Sequence, residues 1–145
     1  MKVLLDTHAL IWYTEGSDKL SVAAKLEIDN PNNSKFISIG SLWEIVIKSS
    51  QNKLELIKSF DDIKEFLSIN YIQILQIETG HLKILFNLPH HHRDPFDRLL
   101  IAQAIAEDMT LISVDAHFEA YPVNIIGTGE TNKIINSLSI GEIIF

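Results

Sequence analysis

The sequence predicts an α/β fold of three layers, with helices on both faces of a central, mostly parallel sheet. Two observations lead there. Short apolar runs alternate with segments of helical periodicity, the arrangement of βαβ units. No internal repeat, low-complexity tract or proline- or glycine-rich linker divides the 145 residues, so they read as one domain spanning 1–145. The composition agrees: 46% apolar and 21% charged residues suffice for a core without staples. The chain has no cysteine, which removes disulfides, thiolate metal sites and cysteine nucleophiles together.

In chain order, Lys2 to Leu5 is a strand ending at Asp6, and Thr7 to Thr14 continues as a helix closed by Gly16. Ser21 caps a helix through Ile28, and Asn30-Pro31-Asn32-Asn33 is a turn. Lys35 to Ile39 is a strand, followed by a helix from Ser41 to about Ser50. Phe60 to Asn70 is helical, Tyr71 to Ile77 extended, and Thr79 to Leu88 a helix stopped by Pro89. The block His90 to Arg98 leads into a helix through Glu107. Thr110 to Val114 is a β-branched strand ending at Asp115, and Val123 to Ile126 is the last strand before Gly127 and Gly129. Residues 127–145 form an extension of unassigned structure.

Nineteen acidic against twelve basic residues leave a formal charge of −7. That balance argues against binding nucleic acid over a broad basic face, and favours a basic protein partner. It leaves room for an enzyme that grips phosphates locally through metal ions. Asp6 interrupts the first apolar run too early for a secretory signal, and no uncharged apolar stretch approaches the ~20 residues of a membrane span. The expectation is a cytoplasmic protein with no membrane contact.

Candidate chemistry gathers on acids. Asp6 and Asp115 follow strands directly, at the sheet edge where open α/β sheets bind ligands. Each also suits a helix cap. Glu44 lies within Leu42-Trp43-Glu44-Ile45-Val46-Ile47, where helical spacing sets Trp43, Val46 and Ile47 toward the core and Glu44 at the margin, with Lys48 one turn on. The bland account of Glu44 is an exposed ion pair with Lys48. Trp43→Ala would then cost about 3–5 kcal/mol as a core aromatic. Asp94-Pro95 is an N-cap followed by proline at N1, and Asp97 falls at N3.

Four acids converging on one edge would repel one another unless cations intervene, and oxygen donors suit Mg²⁺ or Mn²⁺. Such a site serves phosphodiester hydrolysis by activating water and stabilising the leaving oxygen. The only arginines, Arg93 and Arg98, flank Asp94 and Asp97 and serve either as phosphate contacts or as partners that hold the loop. His90, His91 and His92 cannot readily aim three consecutive imidazoles at one metal, so at least two belong to a solvated loop. His8 and His117 each follow a strand-end acid by two positions and either line the cleft or pack elsewhere.

These residues carry a resemblance. LLDTHALIW (Leu4 to Trp12), SIGSLWEIVIK (Ser38 to Lys48), HRDPFDRLLIAQA (His92 to Ala104) and LISVDAHFEAYPV (Leu111 to Val123) resemble the PIN-domain family, and within it the VapC-like toxin ribonucleases of type II toxin–antitoxin pairs. The motifs span nearly the whole chain in order.

The resemblance implies a Mg²⁺- or Mn²⁺-dependent endoribonuclease whose catalytic and metal-binding acids are Asp6, Glu44, Asp97 and Asp115, with Asp94 a second-rank ligand or loop organiser. It implies that the Thr7 and Ser113 hydroxyls orient those acids, and that Arg93, Arg98 and His92 contact RNA substrate. It further implies a homodimer, and a small antitoxin whose tail enters the active-site groove. Similar proteins often end soon after the segment matching YPV, so residues 127–145 depart from the pattern.

Other classes fit less well. A catalytically silent binding module on the same fold would be expected to have lost one of the four acids. A haloacid-dehalogenase-type phosphatase needs an aspartate at position 8, which is histidine. A receiver domain needs paired acids around the first strand end, and no Walker or dinucleotide glycine pattern occurs.

Overall fold

In a computed structural model, which describes residues 1–91, 93–113 and 116–127, five parallel strands form one sheet flanked by helices. The elements run β1 (Lys2–Leu5), α1 (Thr7–Glu15), α2 (Val22–Asp29), β2 (Ser34–Ser38), α3 (Ile39–Ser50), α4 (Phe60–Ile69) and β3 (Ile72–Leu75). After them come α5 (Thr79–Asn87), α6 (Pro95–Glu107), β4 (Thr110–Ser113), a 3₁₀ turn (Ala116–Ala120) and β5 (Ile125–Gly127). The strand order is β3-β2-β1-β4-β5. Chain order thus proceeds outward from β1 through β2 to β3, then returns to the other side of β1 with β4 and β5. The reversal leaves a crevice between β1 and β4, the place where open α/β sheets bind ligands.

Register places Leu4 beside Phe36 and Leu111, and Leu5 beside Ile37 and Ile112. Because side chains alternate across a strand, β1 feeds two cores. Val3 and Leu5 join Ile37 and Ile112 under α1 to α4, through Leu10, Ile28, Ile45 and Ile63. Leu4 and Leu111 join Leu100, Ile101, Ala104 and Phe118 on the opposite face. Val3, Leu4 and Leu5 are all fully buried, as a central parallel strand covered on both sides requires.

Local signals set several boundaries. Gly16 ends α1 in the left-handed conformation, φ 63°, and its N–H returns to the last carbonyls of the helix. Ser21 caps α2 and Ser59 caps α4 through their hydroxyls. The second strand ends one residue earlier and the following helix begins two residues earlier than the sequence reading has them, because Ser38 caps α3 by accepting the Gly40 N–H at 3.0 Å. β3 is shorter than the extended run suggests, since Tyr71 turns the chain at φ 55°.

Trp43 corrects an expectation. It is 59% exposed, Val46 is exposed as well, and the buried side of α3 carries Ser41, Leu42, Glu44 and Ile45. Apolar residues lie on two sides of α3, so periodicity alone could not choose the inward one. Tertiary packing chose it: at Gly40 a Cβ would stand 2.6 Å from Leu99 Cδ2, so the glycine lets α3 settle against α6 in this rotation.

Trp43 instead meets Phe96 edge-on, ring centroids 5.3 Å apart. Trp43→Ala should therefore cost about 0.5–1.5 kcal/mol, the worth of an aromatic pair, whereas Phe118→Ala, at a fully buried ring, should cost about 3–5 kcal/mol. Urea melts of the two variants check the ranking.

Candidate acidic site

Asp6 anchors the site at the mouth of the crevice. Its N–H donates to Ile112 O at 2.9 Å, joining the ends of β1 and β4. Its Oδ1 accepts the Ala9 N–H at 2.7 Å, so the capping account of Asp6 holds, and its Oδ2 accepts the Ser113 hydroxyl at 2.6 Å. Capping uses one carboxylate oxygen and the sheet edge uses the other. The side chain is buried and held at both ends.

Glu44 comes from the inward side of α3. It is only 4% exposed, and both of its oxygens are engaged. Thr7 Oγ1 donates to Oε1 at 2.5 Å, and Lys48 Nζ to Oε2 at 2.5 Å. The i,i+4 pair is therefore present, but on Glu44's side it is buried and not a solvated surface pair. Thr7 follows Asp6 directly, so its hydroxyl ties the two carboxylates into one unit.

Asp94 caps α6, its Oδ1 accepting the Phe96 and Asp97 N–H groups at 2.9 and 3.2 Å with Pro95 at N1. Asp97 lies half-buried in the first turn. Both reach the site electrostatically through Lys48. The Glu44 hydrogen bond raises the Lys48 pKa above its ordinary value, against the opposing effect of burial, and the charges of Glu44, Asp94 and Asp97 add to the rise. Asp6 and Glu44 thus meet through Thr7, and Asp94 and Asp97 stand at the start of α6, where their charges act on the same lysine. Asp115, named from the sequence as the fourth acid, and His92 lie outside the described residues, as do Val114, residues 128–145 and the His117 side chain.

The arginines do not act as a pair. Arg98 is 7% exposed, and its guanidinium donates to the carbonyls of Pro89 at 2.8 Å and Leu88 at 3.1 Å and to the Tyr121 hydroxyl at 3.4 Å. It pins the α5–α6 connection. Of the two roles the sequence left open for Arg98, structural partner and phosphate clamp, this is the first, because a guanidinium committed to buried carbonyls is not free to fork onto a phosphate. Arg93 is exposed and lines, with Leu85, Phe86, His90, Pro95 and Arg98, a cavity of about 510 Å³ between α5 and the start of α6. A second cavity of about 440 Å³ lies between α1 and α2, walled by Trp12, Leu20, Val22 and Leu26. Neither is lined by the acids.

His81 was missed by sequence reasoning. It is buried; its Nδ1 accepts the Glu78 N–H at 3.0 Å, which leaves the proton on Nε2 to meet Glu107 at 2.8 Å. The signal was a histidine three residues after a glutamate at a helix start, a variant of the capping box. His81 locks α5 to the end of α6 and so steadies the helix that carries Asp97.

The donor set tests fit to a cation. Asp6, Glu44 and Asp97 present oxygen alone, with hydroxyls behind Asp6 and Glu44, which suits a hard divalent ion. Among the described residues no three acids or histidines are gathered closely enough to hold a metal.

The PIN domain family pattern matches residues 3–124. The chain belongs to the PIN-domain family. This PIN domain has the fold of several solved structures. VapBC2 of Rickettsia felis, bound to a DNA fragment from its promoter, is 20% identical with a TM-score of 0.67, covering 88% of this chain and 99% of that one. VapBC-1 of nontypeable Haemophilus influenzae is 14% identical with a TM-score of 0.60, covering 88% and 98%. A toxin–antitoxin complex of Klebsiella pneumoniae is 19% identical with a TM-score of 0.58, covering 86% and 95%. The sequence has no significant match among the curated proteins.

Two outcomes follow from this geometry. Ser113→Ala and Thr7→Ala each leave a buried carboxylate oxygen short of a donor, and each should lower stability by about 1–3 kcal/mol in urea melts. The Lys48–Glu44 pair has a raised folded lysine pKa, so its contribution is complete below pH about 10.4 and is lost as pH rises through the folded value. Melts of wild type and Lys48→Met should therefore converge at high pH.

Proposed function

We propose that this PIN domain is a divalent-metal-dependent endoribonuclease, using Mg²⁺ or Mn²⁺, and the toxin of a toxin–antitoxin pair. The observation that carries the reading is the joining of Asp6 and Glu44 through Thr7 at the β1/β4 crevice, with the charge of Asp97 acting on the Lys48 that pairs with Glu44. Asp115 completes the acid set by its place in the motif. The fold neighbours described as toxin–antitoxin complexes support the biological role.

When bound, a divalent cation supplies positive charge to the scissile phosphate and makes water a better nucleophile at neutral pH. Asp6, Glu44 and Asp97, with Asp115, are the residues that would hold it. The chain's own contribution is placement. Asp6 is fixed at both oxygens by the Ala9 N–H and the Ser113 hydroxyl, and Glu44 by Thr7 and Lys48. Carboxylates held this way need no reorganisation when substrate arrives. Arg93, exposed on the α6 side of the site, supplies a cation for an RNA phosphate, and His92 belongs to the same contact.

The partner reading has its own support. A charge of −7 suits a basic antitoxin, and the α1–α2 cavity offers apolar walls to a peptide segment. A homodimer would cover exposed apolar residues on two helices beside the first turn of α6. Trp43 stands against Phe96 on one side, and Phe86, 87% exposed, shares a cavity with Pro95 on the other. No helix among the described residues is long and apolar enough to cross a membrane, and the proposed site of action is the cytoplasm.

Purified protein should cleave RNA with Mg²⁺ or Mn²⁺ and fall silent with chelator. Asp6→Asn and Asp97→Asn should each reduce cleavage by at least about a hundredfold, the scale of a lost transition-state contact. Undiminished cleavage by both variants removes the site. For assembly, Trp43→Ser combined with Phe86→Ser should shift the protein to monomer by light scattering. An unchanged mass moves the dimer contact elsewhere.

A further inference from the structure

We propose that Lys48 is a positioning residue of the acidic site, a resident counter-ion whose ammonium competes with the divalent cation for the Glu44 carboxylate. The identity of that cation rests on the nuclease reading; the placement of Lys48 does not. Lys48 Nζ donates to Glu44 Oε2 while Thr7 occupies Oε1, so no Glu44 oxygen is left without a hydrogen-bond donor. The Glu44 side chain is 5% exposed and that of Lys48 35%. The bond is sealed on the acid's side and open on the lysine's.

A second lysine shows what is special here. Lys25 and Asp29 make the same i,i+4 pair at 2.7 Å, but both are well exposed, and such a pair contributes little. Lys48 instead pairs with a buried carboxylate, and the charges of Asp94 and Asp97 at the start of α6 act on it as well. Acids brought together without a cation repel one another. One ammonium serving carboxylates from two helices relieves that repulsion and keeps the site assembled before metal arrives.

The same ammonium has a cost for metal binding. It sits on an oxygen that a divalent ion would take, and its charge opposes a second cation nearby. Loading the site would therefore require Nζ to leave the Glu44 carboxylate. The lysine is one-third exposed on a flexible four-carbon stem, so it can turn outward without moving α3.

Calorimetric titration with Mn²⁺ and thermal melts in chelator, on the full chain, test this. Lys48→Met should bind Mn²⁺ about tenfold more tightly, as expected when a unit charge a few ångströms from a divalent ion is removed. It should also melt at a lower temperature in chelator. Lys48→Arg should stay near wild type in both, and Lys48→Gln should follow Lys48→Met if the methionine variant does not fold. The loss of midpoint from Lys48→Met should shrink in a Glu44→Gln background, where the carboxylate bonded to Nζ is gone. Unchanged or weaker Mn²⁺ binding in Lys48→Met and Lys48→Gln overturns the competition, and a midpoint loss undiminished beside Glu44→Gln overturns the counter-ion role. Failure of Mn²⁺ to bind wild type overturns the metal reading itself, and with it the competition. Wild-type binding with unaltered affinity in the variants overturns only the part given to Lys48.

Discussion

The clamp on Asp6 is the constraint from which the rest of the structure follows. Its backbone N–H joins β1 to β4, one carboxylate oxygen caps α1, and the other takes the Ser113 hydroxyl at the end of β4. A buried carboxylate is costly unless its oxygens are hydrogen-bonded. Here the hydrogen bonds that meet that requirement also hold the crevice edges together. Fold and site share the same bonds at this point, so the acid cannot be removed without loosening the sheet edge that presents it.

The second acid is brought to the first by helix packing. α3 rests close enough to α6 that a Cβ at position 40 would stand 2.6 Å from Leu99 Cδ2 and push that side chain aside. That contact sets the rotation of α3, which turns Glu44 inward to Thr7 and leaves Trp43 outside. α6 is held in turn by two buried polar groups away from the acids. Arg98 gathers the carbonyls of Leu88 and Pro89, and His81 bridges Glu78 to Glu107. Each satisfies backbone or carboxylate groups that would otherwise be buried without partners. Their effect is to fix where the first turn of α6, with Asp94 and Asp97, meets α3.

Charge organises what packing assembles. An acidic chain that collects carboxylates at one sheet edge needs a cation there, and the lysine one turn after Glu44 is that cation in the protein by itself. The two arginines, adjacent in sequence to Asp94 and Asp97, line one cavity but differ in burial: one is buried as a structural tie and the other stays at the surface. Proximity along the chain is a poor guide to shared work when a helix begins between the two residues, because each helical step turns the side chain by about 100°.

Much of the architecture was legible in the sequence. Alternating strands and helices determined the parallel sheet, and Asp94-Pro95, Ser21 and Gly16 marked helix ends through local bonds that need no distant partner. The motifs around Asp6, Glu44 and Asp97 named the acids because their residue types and order carry the resemblance. What the sequence could not decide was orientation. Trp43 and Glu44 are neighbours on a helix with apolar residues on two sides, and tertiary contacts, the close approach of Gly40 to Leu99 among them, determined which turned inward. The sequence left Arg98 between phosphate contact and structural partner, and His81 carried no signal beyond spacing, since the carbonyls and the carboxylate they satisfy come from other segments. Local hydrogen bonds and periodicity are written along the chain. The choice of which polar group is buried, and against what, belongs to contacts between residues far apart in it.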